Sequence, residues 1–249
     1  PLKKNFKQLM ASTDEPLQVL KNKNYLEMVP MQLQKNIWHE TILKEANIKD
    51  FMGELPNMFN NFMERFLCCF TRSEQAFNCI AYTKGLLSNL ERKSAEPIAL
   101  EFIEGASGPR NLQFHMRNAK WDDLGAEKIY QEHLSGLISH CEGMITIDES
   151  GFVKKGNHSV GVARQYCGSI GKVENCQVGV FVGYSGEKGY GLIAKQLFMP
   201  EKWFSDDYAK RREKCLAPEE LTFKTKPQIA LELLAQIEQS GLFQAKWVG

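Results

Sequence analysis

The residue with most to offer chemically is Asp148. It closes the apolar, β-branched run Met144-Ile145-Thr146-Ile147, a pattern that predicts a short buried strand. Successive strand side chains point to opposite faces, so Glu149 is expected on the other side of the sheet. A carboxylate at a strand end can hold a hard divalent cation where the sheet opens to solvent. The segment Ser150-Gly151-Phe152-Val153-Lys154-Lys155-Gly156 then reads as a flexible basic loop. Its Lys154 and Lys155 suit a phosphate backbone near such a metal. An Asp that ends a strand and enters a turn is also ordinary turn chemistry. On spacing alone that plainer reading is the more economical one.

The elements that would position Asp148 can be read from periodicity. Upstream the chain reads as helical, with the break near residue 140. Phe51–Cys69 carries Phe59, Phe62, Met63, Phe66 and Leu67 at helical steps. Ser73, Ser94 and the Ser107-Gly108-Pro109 group precede three further periodic runs and can start helices there. Trp121-Asp122-Asp123 opens another, reaching about Ser139. Short helices joined by tight turns suit either a helix-turn-helix DNA reader or a plain bundle, and the spacing does not choose.

From Met144 the pattern changes to strands. Ser159–Ala163 is a candidate minor strand, and Gln177–Tyr184 is the strongest strand in the chain. Ser185–Gly189 is a turn into a return strand, Tyr190–Phe198, which makes a hairpin. Lys226-Pro227 starts an amphipathic helix with Ile229, Leu231, Leu233, Leu234 and Ile237 at helical steps, and Gly241 stands where a helix stop belongs. Ala245–Gly249 reads as one more strand. A hairpin plus a helical crossover implies a mixed sheet with a helix packed on it.

Composition sets the outer bounds. A chain of 249 residues with 43% apolar and 24% charged residues is ordinary for a globular protein. No apolar run reaches the roughly 18–20 residues of a membrane helix, and the start lacks a secretory signal. The reading is a cytoplasmic protein with no membrane partner. Seven cysteines at irregular spacings, with no Cys-x-x-Cys pair, argue against a disulfide framework and a structural zinc site. With 31 basic against 30 acidic residues, global charge gives no argument for nucleic acid. The local clusters Lys3-Lys4-Lys7, Arg92-Lys93, Lys154-Lys155 and Lys210-Arg211-Arg212 do, though such clusters are commonly just solvated. An unrelated enzyme would need a closed pocket lined by His115, His133 or Cys141, and no spacing supports one.

The stretch Ile147–Gly156 resembles the motif around the first catalytic Asp of DDE-type insertion-sequence transposases. The likeness continues through His158–Gly168, Gly171–Val180, Leu197–Trp203 and Phe223–Pro227, and upstream through Tyr82–Ser94. Linked motifs in the right order, over roughly residues 65–249, are more specific than any one of them. Two departures are mild: Glu149-Ser150 stand where the family has a second acid and Thr or Ser, and Val153 stands where it often has Pro.

The resemblance implies an RNase H-like nuclease with an Asp-Asp-Glu triad that binds two Mg²⁺ (or Mn²⁺) ions and cuts and joins DNA. Asp148 matches the first Asp and would bridge the two ions. The second Asp is expected a residue or so past Gly249 and the Glu much later, so the chain by itself is expected to be inactive. Lys154, Lys155, Arg164 and Lys172 are the candidate DNA-backbone contacts, by charge and position.

The expectation is therefore an α+β protein. Residues 1–140 form a helical domain proposed to bind DNA, and residues 141–249 form the first part of an RNase H-like mixed sheet with a packed helix. The partner is transposon-end DNA, with a homodimer as an option. The alternative is a catalytically dead, transposase-derived DNA-binding or regulatory protein.

Overall fold

The computed structural model describes residues 48–215 and 217–249. Expectations placed on residues 1–47, the Lys3-Lys4-Lys7 cluster among them, lie outside the described residues. The chain divides into two compact units that meet at Ala126 and Glu127. The fold is mixed α+β, as expected, with a curled mixed sheet in the second unit.

In the first unit, α1 spans Ile48–Glu64. It stops short of the expected Cys69 because the last turn tightens. Arg65 N–H bonds Phe62 O, Phe66 N–H bonds Met63 O, and Leu67–Cys69 continues as a 3₁₀ turn. Three helices follow: α2 (Ser73–Leu87), α3 (Ala95–Phe102) and α4 (Gly108–Asn118). They share a small core in which Ile98, Ala99 and Leu112 are fully buried, with Tyr82, Leu90, Phe102 and Ile103 around them. Gly85 lets α2 approach α3 closely, since a Cβ there would lie 2.4 Å from Ile98 Cγ2. Helix α5 (Asp123–Ile138) leads into the second unit.

The second unit is built on five strands: β1 (Met144–Val153), β2 (Ala163–Cys167), β3 (Lys172–Gly186), β4 (Gly189–Phe198) and β5 (Trp247–Val248). The sheet order is β2-β3-β1-β5, and β4 also pairs with β3. β1 runs antiparallel to β3 from Met144↔Ser185 to Val153↔Cys176. β5 runs parallel to β1, with Met144↔Trp247 and Ile145↔Val248 in register. The short helix α6 (Ala209–Lys214) lies in the charged connection, and α7 (Lys226–Ser240) is the crossover that returns the chain to β5. Thr225 caps α7, its Oγ1 accepting from Gln228 N–H, and Gly241 ends it at φ 64°. Ile229, Leu233 and Ile237 of α7 pack on Ile145, Val180, Val182 and Tyr184.

Two strand boundaries differ from the sequence reading. The segment Ser159–Val162 is a turn, not a strand. Gly161 sits at φ 74°, Val162 N–H bonds Ser159 O, and buried Trp203 donates its indole N–H to Val162 O at 2.9 Å. The strand begins only at Ala163. β1 also runs five residues past Asp148, because β3 offers it partners as far as Cys176. Lys154 N–H still bonds Asn175 O at 2.9 Å. Half of the expected flexible loop is therefore sheet.

Candidate active site

Asp148 sits in the middle of β1, opposite Phe181 of β3, and its side chain is exposed. Its Oδ1 accepts from the N–H of Glu149 at 2.7 Å. Pleating sorts the neighbours. Ile145, Ile147 and Glu149 alternate with Thr146, Asp148 and Ser150, so the second set faces away from α7. Glu149 is indeed on the helix side, where Lys226, the first residue of α7, meets it at 2.5 Å. The two adjacent carboxylates therefore occupy opposite faces, as the alternation predicted. The Lys226 contact joins elements 77 positions apart in the sequence, and no local pattern announces it.

The edge beside Asp148 is set by β5. Gly249 N–H bonds Ile145 O and Ile147 N–H bonds Gly249 O, both at 2.9 Å. The parallel ladder thus reaches Ile147, next to Asp148. Tyr184 holds the approach to this strand. Its buried hydroxyl accepts from His140 N–H at 2.8 Å and lies 2.8 Å from Gln244 O, to which it can donate.

The four basic candidates do not gather at Asp148. Lys154 and Lys155 follow the far end of β1, roughly 20 Å along the strand at about 3.4 Å per residue. Arg164 lies on β2 opposite Asn175, exposed, and shares the Asp148 face with Phe152 and Tyr166. Tyr166 is 58% and Phe152 49% exposed. Sequence reasoning passed over both aromatics; period-two alternation from Asp148 and Arg164 was the signal that could have found them. Lys172 points to the other face, 3.9 Å from Glu174. Among the described residues, no group of three or more His, Cys, Asp or Glu side chains could hold a metal ion. Nor is any helix among them long and apolar enough to cross a membrane.

The fit to a cation is partial. Asp148 offers hard oxygen ligands at a sheet edge, which suits Mg²⁺ or Mn²⁺. One carboxylate cannot organise two such ions, so the described residues do not by themselves make a two-metal centre.

Comparison with known proteins bears on this geometry. A family model described as DDE superfamily endonuclease matches residues 65–248. A probable transposase for insertion sequence element IS701 from Microchaete diplosiphon is 30% identical over 173 residues, which cover 68% of this chain and 40% of that protein. The chain thus spans less than half the length of the curated relative it matches. No solved structure matches.

Proposed function

The chain belongs to the DDE superfamily endonuclease family, and from that premise we propose that it forms part of a transposase that binds DNA and cuts and rejoins its phosphodiester backbone. The observation that carries the proposal is the parallel pairing of β5 with β1 beside Asp148. A nuclease of this kind needs carboxylates from neighbouring strands to converge, and neighbouring strands lie only about 4.8 Å apart. In a polypeptide that continues past Gly249 in the same register, the second further residue stands opposite Asp148.

In this proposal Asp148 is the first metal-holding carboxylate. A bound Mg²⁺ or Mn²⁺ would supply Lewis-acid stabilisation of a phosphoryl oxygen. Glu149, turned to the other face and neutralised by Lys226, takes no part in that set. Lys154, Lys155 and Arg164 contact the DNA backbone at some distance from the cut, since about 20 Å corresponds to roughly six base-pair steps. Lys172, on the opposite face and facing Glu174, is the outlying member. A cytoplasmic location and a homodimer belong to the same proposal.

The test pairs cleavage with binding in a transposase polypeptide that carries this chain. Asp148→Ala should abolish Mg²⁺-dependent cleavage of end duplex while leaving salt-dependent DNA binding intact. Cleavage that persists in the variant overturns the assignment. Binding without cleavage in both the parent and the variant favours the catalytically dead, regulatory alternative.

A further inference from the structure

The outward face of α4 suggests a role for the helical unit. Leu112 is fully buried against Ile98 and Ala99, and Gly108 is the only other buried residue of the helix. At 100° per residue, the face opposite Leu112 carries Arg110, Gln113, Phe114 and Arg117, spaced i, i+3, i+4, i+7. All four are exposed, Phe114 at 66%. The helix contains no Asp or Glu. Among the described residues neither arginine has an ion-pair partner. A merely solvated face more often carries both signs, as α5 does with its Lys128–Glu132 pair.

We propose that α4 is a base-reading helix that lies in the major groove of duplex DNA and reads it through Arg110, Gln113, Phe114 and Arg117. The residue types match base edges. Arginine pairs with guanine O6 and N7, glutamine with adenine N6 and N7, and an apolar ring packs on the thymine methyl. From Arg110 to Arg117 the stripe is about 10 Å long at 1.5 Å per residue, close to three base-pair steps. The architecture fits as well. α3 packs behind α4 through Ile98, Ala99 and Leu112, and the turn between them contains Gly105 at φ 92°. A short helix, a glycine turn and a second helix with a free face is the arrangement that presents a recognition helix. The inference rests on the DNA-binding half of the proposed function and is independent of Asp148.

The test is selection of bound sequences from a pool of random 30-base-pair duplexes with this chain, followed by fluorescence anisotropy on the selected duplex. The chain should enrich a motif. Arg110→Ala, Gln113→Ala and Arg117→Ala should each weaken binding to the selected duplex about tenfold or more and relax the preference at one position. None of them touches the Leu112 core, so far-UV circular dichroism should not change. A motif that all three variants still bind like the parent overturns the α4 assignment and leaves DNA binding standing. An enriched motif lost only in sheet variants such as Arg164→Ala does the same. No binding to any duplex at low salt overturns this inference and the DNA-binding proposal together.

Discussion

Replacing Tyr184 by Phe removes one oxygen and should loosen the strand beside Asp148. The hydroxyl is buried within the second unit and joins the end of α5 to the approach of β5, through His140 N–H at 2.8 Å and Gln244 O at 2.8 Å. The ring itself still packs against Phe243, 5.2 Å between centroids, so the apolar contribution survives. What is lost is a partner within reach of three backbone groups, the third being His140 O at 3.0 Å. An orphaned buried group costs about 1–3 kcal/mol. Gln244 is exposed and can turn to water, which leaves His140 N–H as the main loss. The expected destabilisation is about 1–2 kcal/mol, or roughly 2–8 °C in the thermal midpoint. The assay is thermal unfolding together with amide exchange at Ile147 and Gly249, two amides that bond across the β1–β5 ladder beside Asp148. Both should lose protection more than Val180 in mid-β3. A shift under about 0.5 kcal/mol with unchanged exchange at Ile147 and Gly249 would refute the idea that Tyr184 positions β5.

Three further outcomes are expected. Gly151→Ala should destabilise the sheet by about 1–3 kcal/mol through overpacking, because the new Cβ would lie 2.6 Å from buried Cys167 Sγ; a parent-like urea midpoint would contradict this. Lys226→Met should change stability by less than about 1 kcal/mol, because the Glu149 pair is partly exposed and such pairs are worth little; a larger loss by denaturant titration would mean the pair matters more than its exposure suggests. Burial, with neighbouring Cys68 adding to it, pushes the Cys69 thiol up from 9.0 to about 11. The folded state then holds a proton that the unfolded chain releases, so stability should fall as pH rises from about 9 to about 11, and Cys69→Ala should flatten that slope in urea melts.

Much of the fold could be read from pattern because the signals were local. Lys226-Pro227, the apolar residues between Ile229 and Ile237, and Gly241 each mark α7 within a few residues, whereas the Thr225 cap was not singled out. The alternation that separates Asp148 from Glu149 is a property of any strand. What could not be read depends on distant partners. β1 outruns its apolar core because β3 is long enough to pair with it, and nothing near Ser150–Val153 reports the length of β3. The turn at Ser159–Val162 is set by Trp203, some forty residues on. The Glu149–Lys226 pair and the exposed Phe152–Tyr166 face likewise exist only once the sheet is assembled. In the helical unit, spacing left open whether the short helices read DNA or simply pack. The free Arg110-Gln113-Phe114-Arg117 stripe appears only when Leu112 is known to be the side that faces inward.

If Asp148 is the first carboxylate of a metal-dependent nuclease, as proposed, cleavage must depend on it and not on its neighbour. The most direct test is strand cleavage of end duplex in Mg²⁺ by a transposase polypeptide carrying this chain, compared with its Asp148→Asn and Glu149→Gln variants. Asp148→Asn should lose cleavage by about three orders of magnitude or more, equal to roughly 4 kcal/mol of transition-state stabilisation, while Glu149→Gln should stay within a few-fold of the parent. Retained cleavage in Asp148→Asn, or a loss found only in Glu149→Gln, would contradict it and move the site to the α7 face of the sheet.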